Sequence, residues 1–294
     1  MGNVADSLSL MGGATPVSMN DAKATVAGYA FATMETDPAP ADYVYSPSDL
    51  KVPTNLARAK VPRWAYQTFD CVRGEPGKEL GPADLFVIDG LDAQIGQTEV
   101  ATYLTWLPAV NAALGRVPLT KKAFWELRLN DGFPLDATNQ EPSANSDDHI
   151  AWLMCRTWQL FSEIPGFDIA RVHKVLHHKR PEQFPLLDRR TRALIRRHRK
   201  DRTTALWDVI LSDLQANAGQ FEELEEWFDL FRVQKGIPSP PGTTPVSLTR
   251  LRIHDILIWC KADKRHEEGI PLDWKNAREE GARILAEGGG LRAG

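Results

Sequence analysis

Between residues 146 and 202 the apolar positions recur three and four apart, and short turn signals interrupt the pattern. After Ser146 or Asp147, Ile150, Leu153, Met154, Thr157, Trp158 and Phe161 fall on one stripe, the spacing of a helix with one buried face. Pro165–Gly166 ends that helix, since neither residue continues a helical run cheaply. A second helix is predicted from about Asp168 to His178, closed by Pro181, and a third begins after Asp188. Upstream, Val100, Tyr103, Leu104 and Leu107 share a face, with Thr98 as a start and Gly115 as a stop. Downstream, Phe221–Val233 is amphipathic, 236–247 is a proline-rich connector, and Leu248–Ala262 reads as a last buried helix. Strand signals are scarce, with Leu85–Ile88 the one competitor. The expected fold is all-α, two helical lobes around a cleft over residues 46–263. Residues 1–45, rich in Gly, Ala, Ser and Pro, read as a disordered arm. Residues 264–294 read as a charged, Gly-rich tail.

Composition narrows the class. With 43% hydrophobic and 25% charged residues among 294, the chain is ordinary for a globular protein with a sizeable core. Cys71, Cys155 and Cys260 are widely spaced and include no Cys-x-x-Cys pair, which argues against a disulfide framework, a zinc site or an iron–sulfur cluster. No apolar run approaches the ~20 residues that span a bilayer. The N-terminus lacks a signal-peptide pattern, and Asp6 stands where a myristoylation signal wants Ser or Thr. The expected location is the cytoplasm, with no membrane partner.

Charge changes the picture more. The chain carries −4 overall, yet His173–Arg202 holds eleven Lys/Arg against three acids, a local +8. Such asymmetry points to a polyanionic partner. Lys174, Lys179, Arg180, Arg189, Arg190, Arg196 and Arg197 are the candidate phosphate contacts, although a charge run can equally be a solvated helix face. His173 and His177 stand four apart but lack a third ligand at a recognisable spacing, so no metal is expected. No cofactor is implied.

The order helix, Pro-Gly turn, helix, aspartate resembles the helix-hairpin-helix DNA glycosylases. The hairpin positions read Ile164-Pro165-Gly166-Phe167-Asp168, and Phe184-Pro185-Leu186-Leu187-Asp188 follows. A weaker likeness lies in Gly96-Gln97-Thr98-Glu99-Val100-Ala101, which is similar to a helix start of the adenine-specific branch. The resemblance implies that Asp188 is the catalytic carboxylate and that Asp92, or less so Asp89, is an acid protonating the base. It implies that the partner is double-stranded DNA and that the backbone around Gly166 holds one of its phosphates. The chemistry fits those residue types. Glycosidic cleavage builds positive charge on the sugar, which a carboxylate stabilises, and an extruded base needs aromatic side chains to stack on. Trp152 and Trp158 are the candidates for that pocket. Two departures matter. Asp168 replaces the second hairpin glycine, and Ile169, Ala170 and Arg171 occupy the place of a Schiff-base lysine, so an active enzyme would be monofunctional. Leu251–Trp259 also resembles the last helix of an uncharacterised bacterial family.

Two functions therefore stand: a monofunctional DNA glycosylase-like hydrolase, or a non-enzymatic DNA-binding or interaction protein on the same helices. Asp188 alone is equally well read as a helix cap, and the tryptophans as core.

Overall fold

The structure is a computed structural model of the chain. It describes residues 6–11, 13–35, 60–62, 69–72, 79–91, 93–119, 122–134, 140–198, 205–235, 248–261 and 274–287. Among the described residues ten α-helices carry the fold: α1 (Met19–Phe31), α2 (Pro82–Asp89), α3 (Gln97–Arg116), α4 (Asp147–Ser162), α5 (Ile169–Lys179), α6 (Arg189–His198), α7 (Leu206–Ala216), α8 (Ala218–Gln234), α9 (Arg250–Lys261) and α10 (Trp274–Glu287). Two short antiparallel pairs accompany them: β1 (Ser7–Leu10) with β2 (Thr15–Ser18), Ser7 opposite Ser18, and β3 (Thr33–Glu35) with β4 (Lys60–Pro62). The chain is all-α, and its buried apolar side chains form one continuous core from Leu8 to Ile284.

Local chemistry explains the helix starts. Ser146 caps α4, its hydroxyl accepting from the His149 N–H at 3.0 Å. Glu99 turns back to accept from the Gly96 N–H at 3.1 Å at the head of α3. Asp84 does the same for Gly81 at 2.7 Å. Each satisfies a backbone donor that the first turn leaves without a partner. The Leu85–Ile88 run is thereby helical, in α2, rather than a strand.

The N-terminal segment corrects the expected disordered arm. Leu8 and Leu10 are fully buried, and the β1 backbone is tied to α7 and the start of α8. Ser9 N–H donates to Asn217 at 2.7 Å and Met11 N–H to Asp213 at 2.7 Å. Ser18 caps α1. The Ala and Gly that read as low complexity are contact residues. A Cβ on Gly281 would lie 1.5 Å from the Ala24 carbonyl oxygen, so α10 crosses α1 at backbone contact distance. The expected tail therefore contains a packed helix. Residues 1–5, 36–45 and 288–294 lie outside the described residues.

One buried polar cluster joins distant segments. The Arg252 guanidinium of α9 donates to Asp70 at 2.6 Å and also to Asp255 and the Tyr29 hydroxyl. Tyr29 donates in turn to Asp70 at 2.7 Å. Burial pushes the Asp255 carboxyl up to about 7, with the charges of Asp188 and Asp70 adding to the effect and Arg252 opposing it.

Candidate functional site

The basic stretch singled out by its charge folds as two helices with opposite fates. Helix α5 is buried along most of its length. His173 donates from Nδ1 to the Ile169 carbonyl at 2.7 Å and accepts the Trp207 indole N–H at Nε2, 3.1 Å away. His177 donates to the Phe184 carbonyl at 2.7 Å. Burial lowers the two rings to about 4 and about 3, and a ring with one bonded donor and one bonded acceptor is neutral in any case. Lys174 donates to the Leu91 carbonyl at 2.5 Å. Lys179 and His178 flank Asp84 at 3.5 and 3.4 Å. Burial alone would raise Asp84, but its bonds from His178 and Gly81 and the Lys179 charge hold it below the usual range. Arg180 donates to the Val117 and Leu114 carbonyls at 2.7 and 3.0 Å, closing the C-terminal end of α3. Lys174, Lys179 and Arg180 are thus buried structural cations. That corrects their expected place at a phosphate backbone.

Helix α6 is the reverse. Arg189, Arg196, Arg197 and His198 are exposed. No hydrogen bond or ion pair holds the Arg189, Arg196 or Arg197 side chain among the described residues. Arg190 turns inward, its guanidinium 5.2 Å over the Trp259 ring. Arg192 is half-buried and Arg196 lies one turn beyond it.

Asp188 opens α6. One carboxylate oxygen accepts from the Thr191 N–H at 2.8 Å, and the Thr191 hydroxyl accepts from the Asp188 N–H at 2.9 Å. This reciprocal bonding is a capping box. The Pro-Gly turn is equally committed. Gly166 has φ +85°, the left-handed region that suits glycine, and a Cβ there would stand 3.1 Å from the Glu99 side chain. Asp168 caps α5 by accepting from the Arg171 N–H at 2.9 Å. Arg171 then staples the turn to the head of α3, donating to Ala93 and Gln94 carbonyls at 2.8 Å each and to that of Gly166. Glu99 and Asp168 therefore place carboxylates on both sides of the hairpin that should receive a phosphate.

A cavity of about 660 Å³ opens between α4, α5, α6 and the 133–134 and 205–207 segments. Its aromatic wall is Phe133, Trp158 and Trp207. Trp207 stands at 69° to Trp158 and at 87° to Phe133, with centroids 6.5 and 5.2 Å apart. Asp208 fixes this wall by accepting from the Phe133 N–H at 2.7 Å and the Ala205 N–H at 3.2 Å. Arg192, Arg196 and Gln159 supply the polar edge. The Trp158 indole N–H is buried without an acceptor among the described residues. Cys155 also borders the space, but burial raises its thiol far above the thiolate range, so it is no nucleophile. Among the described residues no Asp or Glu lines the cavity. Among the described residues there is no group of three His, Cys, Asp or Glu that could hold a metal. None of their helices is long and apolar enough to cross a membrane.

Of the residues expected at the site, Trp158 reaches the cavity and Asp188 adjoins its wall through Leu187. Trp152 does not line it. Its ring packs on His149 and lies under Arg116 and Arg156, 5.8 and 5.9 Å away. Asp92 lies outside the described residues. Sequence reasoning missed Phe133, Trp207 and Gln159, which sit in three different elements and share no local pattern. Arg192 was visible as a residue one turn before Arg196, but not as a cavity residue.

The fold and site define an all-helical protein with an aromatic, cation-edged cavity beside an arginine-rich helix. The chain belongs to a family of unknown function, DUF6308, which it matches over residues 52–262. No curated protein and no solved structure matches it.

Proposed function

We propose that the protein binds duplex DNA through the outer face of α6 and that the binding is non-enzymatic. The observation that carries this reading is the exposed row of Arg189, Arg196 and Arg197, none of which has an acidic partner among the described residues. Uncompensated guanidiniums on one helix suit phosphate oxygens, which they can contact in bidentate fashion. The hairpin does not add to this surface, because Asp168 and Glu99 flank it. Affinity for duplex DNA should fall on the order of ten-fold or more between 50 and 200 mM salt. Arg189→Ser with Arg197→Ser should flatten the dependence of log affinity on log salt. An unchanged slope, or no binding at low salt, returns the row to a solvated face.

A hydrolytic reading retains one supporting observation, the adjacency of Asp188 to the cavity wall at Leu187. Against it stand the engagement of the Asp188 oxygen in the capping box and, among the described residues, the absence of a carboxylate in the cavity lining. Duplexes carrying a panel of base lesions, followed by alkali, test it directly. Base release by the wild type that Asp188→Asn abolishes would restore the enzyme.

A further inference from the structure

We infer that the cavity bordered by Trp158, Trp207 and Arg192 is a binding site for a small, free, planar aromatic molecule carrying one phosphate or carboxylate group. The ring would lie against the indoles and the anionic group at Arg192 and Arg196. This goes beyond DNA binding, since it uses the cavity-facing edge of α6 that carries Arg192 and shares with the outer row only Arg196, which borders both.

Three independent features converge on that ligand class. Size comes first: about 660 Å³ is within the ~300–1,000 Å³ of small-molecule sites, more than a lone carboxylate or phosphate would fill. The wall chemistry comes second. Three aromatic rings meet there at steep angles, so a flat ring can stack on one and meet another edge-on, both favourable arrangements. The buried Trp158 N–H has no acceptor among the described residues, and a buried donor left unpaired is costly until an acceptor arrives. Polar atoms of a ring or its substituent would supply it.

Charge is the third feature and selects an anion. Arg192 and Arg196 stand four apart on α6 and both reach the cavity. Neither guanidinium has a hydrogen bond or ion pair among the described residues. Burial, the neighbouring Arg196 charge and only partial relief from Asp168 lower the pKa of Arg192. Asp168 is itself exposed and committed to capping α5. A half-buried cation beside a second cation is unfavourable alone, and an anion held by both removes that penalty. His173 cannot contribute charge, being neutral and bonded at both nitrogens. Among the described lining residues no acid repels the ligand.

Phosphate and carboxylate share this chemistry, so the test carries both, each with an uncharged counterpart. The full-length protein is titrated by calorimetry and by tryptophan fluorescence with adenosine 5′-monophosphate against adenosine, and with indole-3-acetate against indole-3-acetamide. At least one anion should bind ten-fold or more tighter than its neutral counterpart and perturb the tryptophan emission. Arg192→Met should weaken that anion at least ten-fold, and Arg192→Lys less, because the charge survives without the fork. Arg197→Met, on the outer face, should leave it unchanged. If Arg192→Met fails to fold, Arg196→Met serves in its place. Absence of binding by both anions at millimolar concentration overturns the inference, as does equal binding of the neutral counterparts or equal loss in Arg197→Met. A duplex arm separates the two proposals. Arg189→Ser with Arg197→Ser lowers duplex affinity but leaves the small anion bound, and a wild type that binds the anion but no duplex would sink the DNA reading alone. An anion bound only as part of a strand, with no affinity for the free molecule, would overturn this inference.

Discussion

Helices α5 and α6 are neighbours in sequence, both basic, and physically opposite. On α5 and its C-cap, Lys174, Lys179 and Arg180 are each buried, with carbonyls or Asp84 as partners. On α6, Arg189, Arg196 and Arg197 face solvent without partners among the described residues. A count of charges cannot separate the two cases, because long cationic side chains bury their stems and carry the charged end to whatever acceptor the fold supplies. Helix ends supply many: the Leu114 carbonyl in the last turn of α3, which also takes the Val117 N–H, and the Val117 carbonyl just past it both accept from Arg180. The lesson is that half of the apparent polyanion-binding patch works as internal scaffolding.

The sharpest test of that contrast is Arg180→Met against Arg197→Ser. The first strands the buried Val117 carbonyl and takes one of two donors from that of Leu114, and should cost about 1–3 kcal/mol in urea unfolding, with duplex affinity unchanged once folded protein is compared. The second should alter stability by less than about 0.5 kcal/mol while lowering the salt slope of binding. Equal stability losses would erase the distinction.

A second test uses pH. His173 and His177 titrate near 4 and 3 in the fold against 6.5 when unfolded. Depressed values mean the unfolded chain takes up protons first, so stability is lost as pH falls from about 6.5 toward 4. Asp255, raised to about 7, works oppositely: its contribution is full at acid pH and fades as pH rises toward 7. The two slopes overlap and partly cancel. Asp255→Asn should therefore lose more melting temperature between pH 7 and pH 5 than the wild type does. A shallower loss than in the wild type would mean that the Asp255 carboxyl is not raised in the fold.

Smaller effects belong to the caps. Asp168→Ala and Asp188→Ala should each cost about 1 kcal/mol, while the Asn variants remain within a few tenths. Asp188→Asn also removes a negative charge beside α6 and should leave duplex affinity equal or tighter. A large stability loss in Asp188→Asn would show that its charge, rather than its cap geometry, supports the helix.

What was legible in the sequence was local. The start at Ser146, the stop at Pro165–Gly166 and the caps at Asp168 and Asp188 all depend on bonds within three or four residues, so the order of types alone reveals them. The stripe from Ile150 to Phe161 likewise marks a buried face whatever it packs on. The N-terminal segment was misread because close helix crossings such as Gly281 on Ala24 require small residues, and small residues also characterise disordered arms. The site was largely illegible. Phe133, Trp158, Trp207 and Arg192 come from separate elements, and the bonds that aim them, such as Asp208 to Phe133, span the chain without any spacing rule. Helix positions follow from nearest-neighbour chemistry, which the sequence contains in full. Which arginines are buried and which face the cavity depends on where the acceptors and rings of remote segments arrive, and only the tertiary structure decides that.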